Sequence, residues 1–331
     1  MAKKSLKQKL AEGLLFLDGA MGTQLMARGI ESGKCNEMLN IESPQIILDI
    51  HRSYIQAGSD AVYTNTFGAN EITLARHGLA DKVQQINKAA VEIARKAAGS
   101  TPRLGSGQAG SPQAGNDKYI IGDIGPSGDF LKPLGTLEPD VLKNAYARQA
   151  KALCDGGVDG FIIETFMALD EAKVAAQAVK SVCSLPVFAT LAFDAVGSAH
   201  STSSGQAGSP QAGSDFRTMM GVSVETVVSE FSSLGVDAIG FNCGTLKMEQ
   251  YFALTEKFAK LLAGKKIALL AKPNGGKPEL IDGRAVYKLS DRDFADWLEK
   301  IHNAGAALIG GCCGTTPAHI KAMCEKVKSQ K

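Results

Sequence analysis

The sequence predicts a single α/β domain, a closed (β/α)8 barrel of the TIM type spanning residues 1–331. Three observations carry this. Short β-rich runs alternate with amphipathic helical stretches eight times, and one composition regime runs from end to end, so nothing marks a second domain. Seven of the eight strands also end in a polar or glycine-rich motif, as expected where every strand delivers its C-terminal residues to one rim. An open, doubly wound sheet accounts for the alternation but not for the recurring rim motifs.

The first strand, 14–18, is a continuous apolar run closed by Asp18-Gly19-Ala20, the pattern of a strand buried on both faces. In the following helix, 43–56, Ile46, Ile47, Ile50 and Tyr54 share one face, with Ser43 as N-cap and Pro44 at the first helical position. Strand 61–65 ends in Asn65-Thr66-Phe67-Gly68 and precedes helix 81–98. Strand 119–123 runs into Asp123-Ile124-Gly125-Pro126 before helix 139–154, and strand 160–164 into Glu164-Thr165-Phe166 before helix 169–182. Strand 187–192 lacks such a motif and is followed by helix 223–234. Strand 238–242 closes in Asn242-Cys243-Gly244 before helix 248–262, and strand 267–271 leads to Pro273-Asn274-Gly275-Gly276 before helix 291–304. The last strand, 307–310, opens into Gly310-Gly311-Cys312-Cys313-Gly314 ahead of helix 317–328. A segment of linker composition, Ser-Gly-Gln-Ala-Gly-Ser-Pro-Gln-Ala-Gly, occurs at 106–115 and again at 204–213. Neither copy can bury apolar surface, so both are expected as surface loops.

Lys and Arg total 36 against 34 Asp and Glu, a formal charge of +2 with no long run of one sign. This removes the electrostatic basis for binding nucleic acid or a membrane surface. The apolar runs are too short to span a bilayer, and the basic N-terminus lacks the apolar stretch of a signal peptide, so a cytoplasmic protein is expected. Seven cysteines, an odd number spread over a long chain, suit reduced thiols or metal ligands better than a disulfide framework.

Cys243, Cys312 and Cys313 each follow a strand that ends at the same rim, and the two strands involved are the sixth and the eighth. Three sulfurs can therefore converge, and three thiolates with an open fourth position make a catalytic zinc site. A zinc ion bearing three anionic sulfurs activates water poorly but holds a fourth thiol deprotonated at neutral pH. That chemistry favours alkylation of a thiol over hydrolysis.

Asp18-Gly-Ala-Met-Gly-Thr23, Thr64-Asn-Thr-Phe-Gly68, Gly122-Asp-Ile-Gly-Pro126, Glu164-Thr-Phe166, Gly240-Phe-Asn-Cys243 and Gly310-Gly-Cys-Cys-Gly-Thr-Thr-Pro317 together resemble the homocysteine S-methyltransferase family. The resemblance runs from about residue 14 to 328 and is closest in character to the homocysteine-binding module of cobalamin-dependent methionine synthase. It implies a (β/α)8 barrel, with Cys243, Cys312 and Cys313 as zinc ligands and catalytic residues. Asn274 is implied as the oxygen ligand that holds the fourth position before substrate arrives, although Pro273-Asn274-Gly275 reads equally well as a turn. Asp18 and Glu164 match the family's acidic residues around the substrate ammonium. The backbone of Gly19, Ala20 and Thr23 is a candidate receptor for the substrate carboxylate, and Asn65 and Asp123 complete the substrate-binding set as scaffolding.

The resemblance implies methyl transfer to the homocysteine thiolate, giving methionine, with methylcobalamin supplied by a partner domain or in trans. This chain is not expected to bind cobalamin itself, because Asp49-Ile-His51-Arg-Ser-Tyr54 departs from the Asp-x-His-x-x-Gly signature and sits inside a helix. The alternatives are a free-standing methyltransferase that uses betaine, S-methylmethionine or another small donor, and a substrate-loading module inactive without its partner.

Overall fold

The computed structural model describes residues 3–31, 33–99, 118–196, 215–281 and 284–329. Both linker-like copies, 106–115 and 204–213, lie outside the described residues. The strands in chain order are β1 (Leu15–Phe16), β2 (Ala61–Tyr63), β3 (Tyr119–Ile124), β4 (Gly160–Phe166), β5 (Val187–Leu191), β6 (Asp194–Ala195), β7 (Phe216–Arg217), β8 (Ala238–Asn242), β9 (Ala268–Lys272), β10 (Glu279–Ile281), β11 (Arg284–Val286) and β12 (Leu308–Ile309). The helices are α1 (Leu6–Leu10), α2 (Gly22–Met26), α3 (Leu39–Glu42), α4 (Pro44–Gln56), α5 (Glu71–Ala75), α6 (Val83–Ala97), α7 (Pro139–Gly156), α8 (Leu169–Val182), α9 (Val224–Leu234), α10 (Met248–Leu262), α11 (Asp291–Asn303) and α12 (Pro317–Lys328).

Eight strands form one sheet, in the order β1-β12-β9-β8-β5-β4-β3-β2, and every pairing in it is parallel. At the remaining seam the Asp60 N–H donates to Phe16 O at 2.7 Å and the Tyr63 N–H to Asp18 Oδ2 at 2.8 Å, which draws β1 against β2. The result is the expected (β/α)8 barrel.

Side chains alternate along a strand, so one set fills the barrel and the other meets the helices. Inside, Leu15, Leu17, Ala61, Tyr119, Ile121, Ile162, Phe188, Leu270 and Leu308 pack in one cluster. Leu6 of α1 enters the same cluster at the end where the strands begin, and there the Tyr119 hydroxyl donates to Lys4 O at 3.0 Å. Two residues further along, the inward positions turn polar: Ile121 is followed by Asp123, Ile162 by Glu164, Phe188 by Thr190 and Leu270 by Lys272. The apolar layer closes one end and the polar layer opens at the other. Between β8 and β9 the approach is so close that a Cβ on Gly240 would lie 1.7 Å from Leu270 O, which explains the glycine.

Several local expectations are corrected. Ser43 precedes α4 without a side-chain capping bond, its backbone being turned to φ −144°, ψ 55°, while Pro44 does open the helix. The antiparallel pairs β6/β7 and β10/β11 went unforeseen, since runs of two or three residues carry no readable period. Cys154 and Cys183, expected as reduced thiols, are joined in a disulfide. They stand 29 residues apart, but α7 and α8 lie side by side and bring their C-terminal ends together. Among the described residues no helix is long and apolar enough to cross a membrane.

Candidate functional site

The sulfurs of Cys243, Cys312 and Cys313 all lie within 4.8 Å of one another at the rim where the strands end. Three local features aim them. Cys243 follows β8 in the left-handed region at φ 56°, an arrangement a residue with a Cβ adopts at a cost, and the Tyr251 hydroxyl holds it by donating to Cys243 O at 2.5 Å. The Cys312 N–H donates to Pro273 O and the Gly275 N–H to Cys313 O, each at 2.8 Å, so the loops after β9 and β12 are laced together. The Thr315 hydroxyl then donates to Cys312 O at 2.7 Å and closes the turn.

The donor set fits a tetrahedral metal ion. Cys243 Sγ lies 3.9 Å from Cys313 Sγ, and the edge of a tetrahedron with zinc–sulfur bonds of 2.3 Å is about 3.8 Å. Within the cluster, hydrogen bonds from Cys312 and Cys313 hold the Cys243 thiol below the usual thiol range, and the bond to Cys243 pushes Cys312 above it. Cys313 is pushed above the usual thiol range by the same bonding. Asn274 is 1% exposed, and its Nδ2 donates to Gly244 O at 2.8 Å while its Oδ1 is buried without a partner. A free oxygen beside the sulfur-bearing loops fits a fourth ligand better than a simple turn residue, whose amide oxygen would be bonded or wet.

Beneath the sulfurs lies the polar layer. Glu164 Oε2 and Asp123 Oδ1 are buried with no hydrogen-bond partner. Burial lifts Glu164 to about 8, against the opposing pull of Lys272 and with Cys312 and Asp18 adding to the rise. Asp123 stands well above the usual carboxyl range through burial and the neighbouring Glu164. Asp18, expected at the substrate ammonium, has both oxygens taken within the chain: Oδ1 by Lys272 Nζ at 3.0 Å and Oδ2 by the Tyr63 N–H. The Ala20 N–H is likewise taken, by Thr315 Oγ1 at 3.2 Å, and Thr23 Oγ1 accepts from the Gly314 N–H at 3.2 Å. A Cβ on Gly19 would meet Thr315 Oγ1 and the Tyr54 ring at 2.8 Å, so this glycine lets three elements close on one point. Asn65 turns outward, its Nδ2 donating to Asn36 O at 2.8 Å, and does not join the cluster.

Three contributors were not singled out from the sequence. Asn242 links the site: its Oδ1 accepts from the Thr190 hydroxyl and the Thr165 N–H, each at 2.8 Å, and its Nδ2 reaches Cys312 Sγ at 3.6 Å. Lys272 ends β9 with its Nζ 3.0 Å from Asp18 Oδ1, and the Tyr63 ring lies under the same Nζ at 3.6 Å. The inward alternation along β2, β8 and β9 was the signal that could have found all three.

The family profile described as homocysteine S-methyltransferase matches residues 15–327. The chain is 33% identical to methionine synthase of Mycobacterium tuberculosis over 336 residues, which is 97% of this chain and 25% of that protein. Methionine synthase of Mycobacterium leprae is 32% identical, with 96% of this chain and 24% of that protein aligned. The chain thus spans about a quarter of the length of the curated relatives it matches. Among solved structures, the metallated homocysteine methyltransferase MmuM of Escherichia coli is similar with a TM-score of 0.72 at 24% identity, over 96% of this chain and 99% of that chain. Its apo form gives 0.65 at 25% identity, over 97% and 98%.

That match corrects one expectation. Methylcobalamin brought by a cobalamin-binding partner domain or protein, and with it the cobalamin-dependent reading, is withdrawn: the MmuM chain is matched by this barrel over nearly all its length, so a homocysteine methyltransferase of this fold stands without a cobalamin domain. The sulfur cluster, the fold and the family profile agree, and the chain belongs to the homocysteine S-methyltransferase family.

Proposed function

We propose that this chain transfers a methyl group from a small, freely diffusing cationic donor, a sulfonium or quaternary ammonium compound such as S-methylmethionine or betaine, to the sulfur of homocysteine. One observation carries the reading: three cysteine sulfurs within 4.8 Å of one another at the barrel rim, beside a buried asparagine oxygen with no partner. Cys243, Cys312, Cys313 and Asn274 would hold a zinc ion, which when bound supplies a site that keeps an incoming thiol deprotonated. No protein base is then needed for methyl transfer. The homocysteine sulfur attacks the methyl carbon, a sulfur–carbon bond forms, and the carbon–heteroatom bond of the donor breaks with its electron pair leaving on the heteroatom.

The chain's own residues orient and enclose. Glu164 Oε2 and Asp123 Oδ1, buried and without partners, would receive the substrate ammonium. The turn that leads from β1 into α2, where the Ala20 N–H is already held by Thr315 Oγ1, would face the carboxylate end. Asn242 keeps Cys312 in register with Thr165 and Thr190, and holding sulfur, methyl and leaving group in line supplies much of the rate. Support for a free donor comes from the stand-alone methyltransferase whose fold this chain shares.

A donor panel tests the proposal. Purified zinc-loaded protein, given homocysteine and either S-methylmethionine or betaine, is expected to form methionine with at least one of them, and Cys312→Ala is expected to form none. Absence of methionine with every small cationic donor would contradict it.

A further inference from the structure

We propose that the chain hydrogen-bonds each of its own three site sulfurs, with Tyr287 as the positioning residue at Cys313, so that of the four sulfurs around a bound zinc only the substrate's is left reactive toward a methyl donor. The inference rests on the metal-site reading above and extends it. Homocysteine held beside three cysteines makes four thiolates, and each is a nucleophile. Attack by Cys313 would form a sulfur–carbon bond there, while the donor's carbon–heteroatom bond broke with its electron pair leaving on the heteroatom. The thioether left behind is uncharged and a weak acceptor, so one such event would strip the site of a ligand. A site of this design therefore needs its own sulfurs less reactive than the one it activates.

Tyr287 reaches Cys313 because the chain between β9 and α11 leaves the site and returns to it. The Gly275 N–H donates to Cys313 O at 2.8 Å at the departure, and the Leu289 N–H donates to Gly275 O at 3.2 Å at the return. Between them the hairpin β10/β11 stands largely in solvent, and Tyr287, the next residue after β11, folds back half-buried over Gly314. A Cβ on Gly314 would lie 2.1 Å from Tyr287 Cγ, so only a glycine after Cys313 lets the ring settle there. The Tyr287 hydroxyl hydrogen-bonds to the Cys313 side chain. A metal-bound Cys313 is a thiolate with no proton of its own, which makes the phenol the donor. The other two sulfurs are served likewise. Asn242 Nδ2 lies 3.6 Å from Cys312 Sγ, and its orientation is fixed because Oδ1 accepts from the Thr165 N–H, an obligate donor. Cys243 takes the N–H of Gly244. At the fourth position the neighbour differs: Asn274 turns its Nδ2 to Gly244 O and leaves the acceptor Oδ1 free. A donated hydrogen bond stabilises a thiolate and lowers its nucleophilicity, which an acceptor does not do.

Methyl iodide, applied to the zinc-loaded protein without homocysteine, tests this, with the methylated cysteines located over time by peptide mass spectrometry. Tyr287→Phe keeps the ring over Gly314 and removes only the hydroxyl. It is expected to bind zinc as wild type does and to be methylated at Cys313 roughly tenfold faster, the effect of losing one hydrogen bond to a charged group, with Cys243 and Cys312 at wild-type rates. Asn242→Asp removes the donor at Cys312 and is expected to move the acceleration to that residue, which keeps the test available should Tyr287→Phe not hold zinc. An unchanged Cys313 rate in zinc-replete Tyr287→Phe, or equal acceleration of all three cysteines, would show that the tyrosine only packs against the site and would overturn the inference. Failure of the homocysteine reading is seen separately, in the donor panel, since methyl iodide needs no homocysteine.

Discussion

Cys243 and Thr165 stand at the ends of β8 and β4 in the left-handed region, at φ 56° and 65°, and both are tied down by bonds to the sulfur-bearing region. Strain held in place by neighbours is how a rim fixes a side chain that a relaxed turn would leave free. Residue identities carried this part of the site into view from sequence, since cysteines after the sixth and eighth strands can only meet at the rim. Partnerships did not: nothing in the sequence pairs Lys272 with Asp18. His51 is another case, because its position on α4 gives no hint that the ring is 0% exposed with neither nitrogen partnered. Burial lowers it to about 4 from an ordinary 6.5. A folded-state value below the unfolded one means stability is full above pH 6.5 and is lost as pH falls toward 4, by up to about 3 kcal/mol. Denaturant titrations between pH 7 and 4 should show this loss in wild type and a shallower one in His51→Leu; equal slopes would mean that His51 is not buried neutral.

At the scale of elements, period-two alternation turned eight short runs into a barrel with an apolar floor and a polar mouth. The eight units were legible because the apolar runs and the amphipathic helices repeat. The rim hairpins β6/β7 and β10/β11 were not, because their pairing depends on strands that are too short to carry a pattern. Helix α1 also escaped notice, although its capping box, Ser5 with Gln8, is a readable start signal. Its work is to seat Leu6, 3% exposed, in the interior cluster at the end of the barrel far from the cysteines. Leu6→Ala should cost about 2–5 kcal/mol through the cavity it leaves, with metal content unchanged. A loss of zinc in the folded variant would show that the two ends of the barrel are coupled.

For the molecule as a whole, one (β/α)8 barrel separates stability from chemistry, the strand starts and helix layer serving the first and the strand ends the second. The disulfide belongs with stability. Closing a loop 29 residues apart in sequence, it should contribute about 3–4 kcal/mol by the chain-entropy estimate. The Cys154→Ala, Cys183→Ala double variant is therefore expected to melt lower yet bind zinc as wild type does; unchanged melting would mean that the bridge constrains little. Fold and metal ligands were legible because they rest on repetition and rare residues, whereas the choice among methyl donors leaves no such mark in the chain. The central claim is that Cys243, Cys312 and Cys313 form a three-sulfur metal site that accepts a fourth sulfur from substrate. X-ray absorption at the zinc edge tests this most directly. The account predicts one zinc per chain with three sulfurs and one lighter ligand, becoming four sulfurs on saturation with homocysteine; a count that stays at three, or protein that holds no zinc, would contradict it.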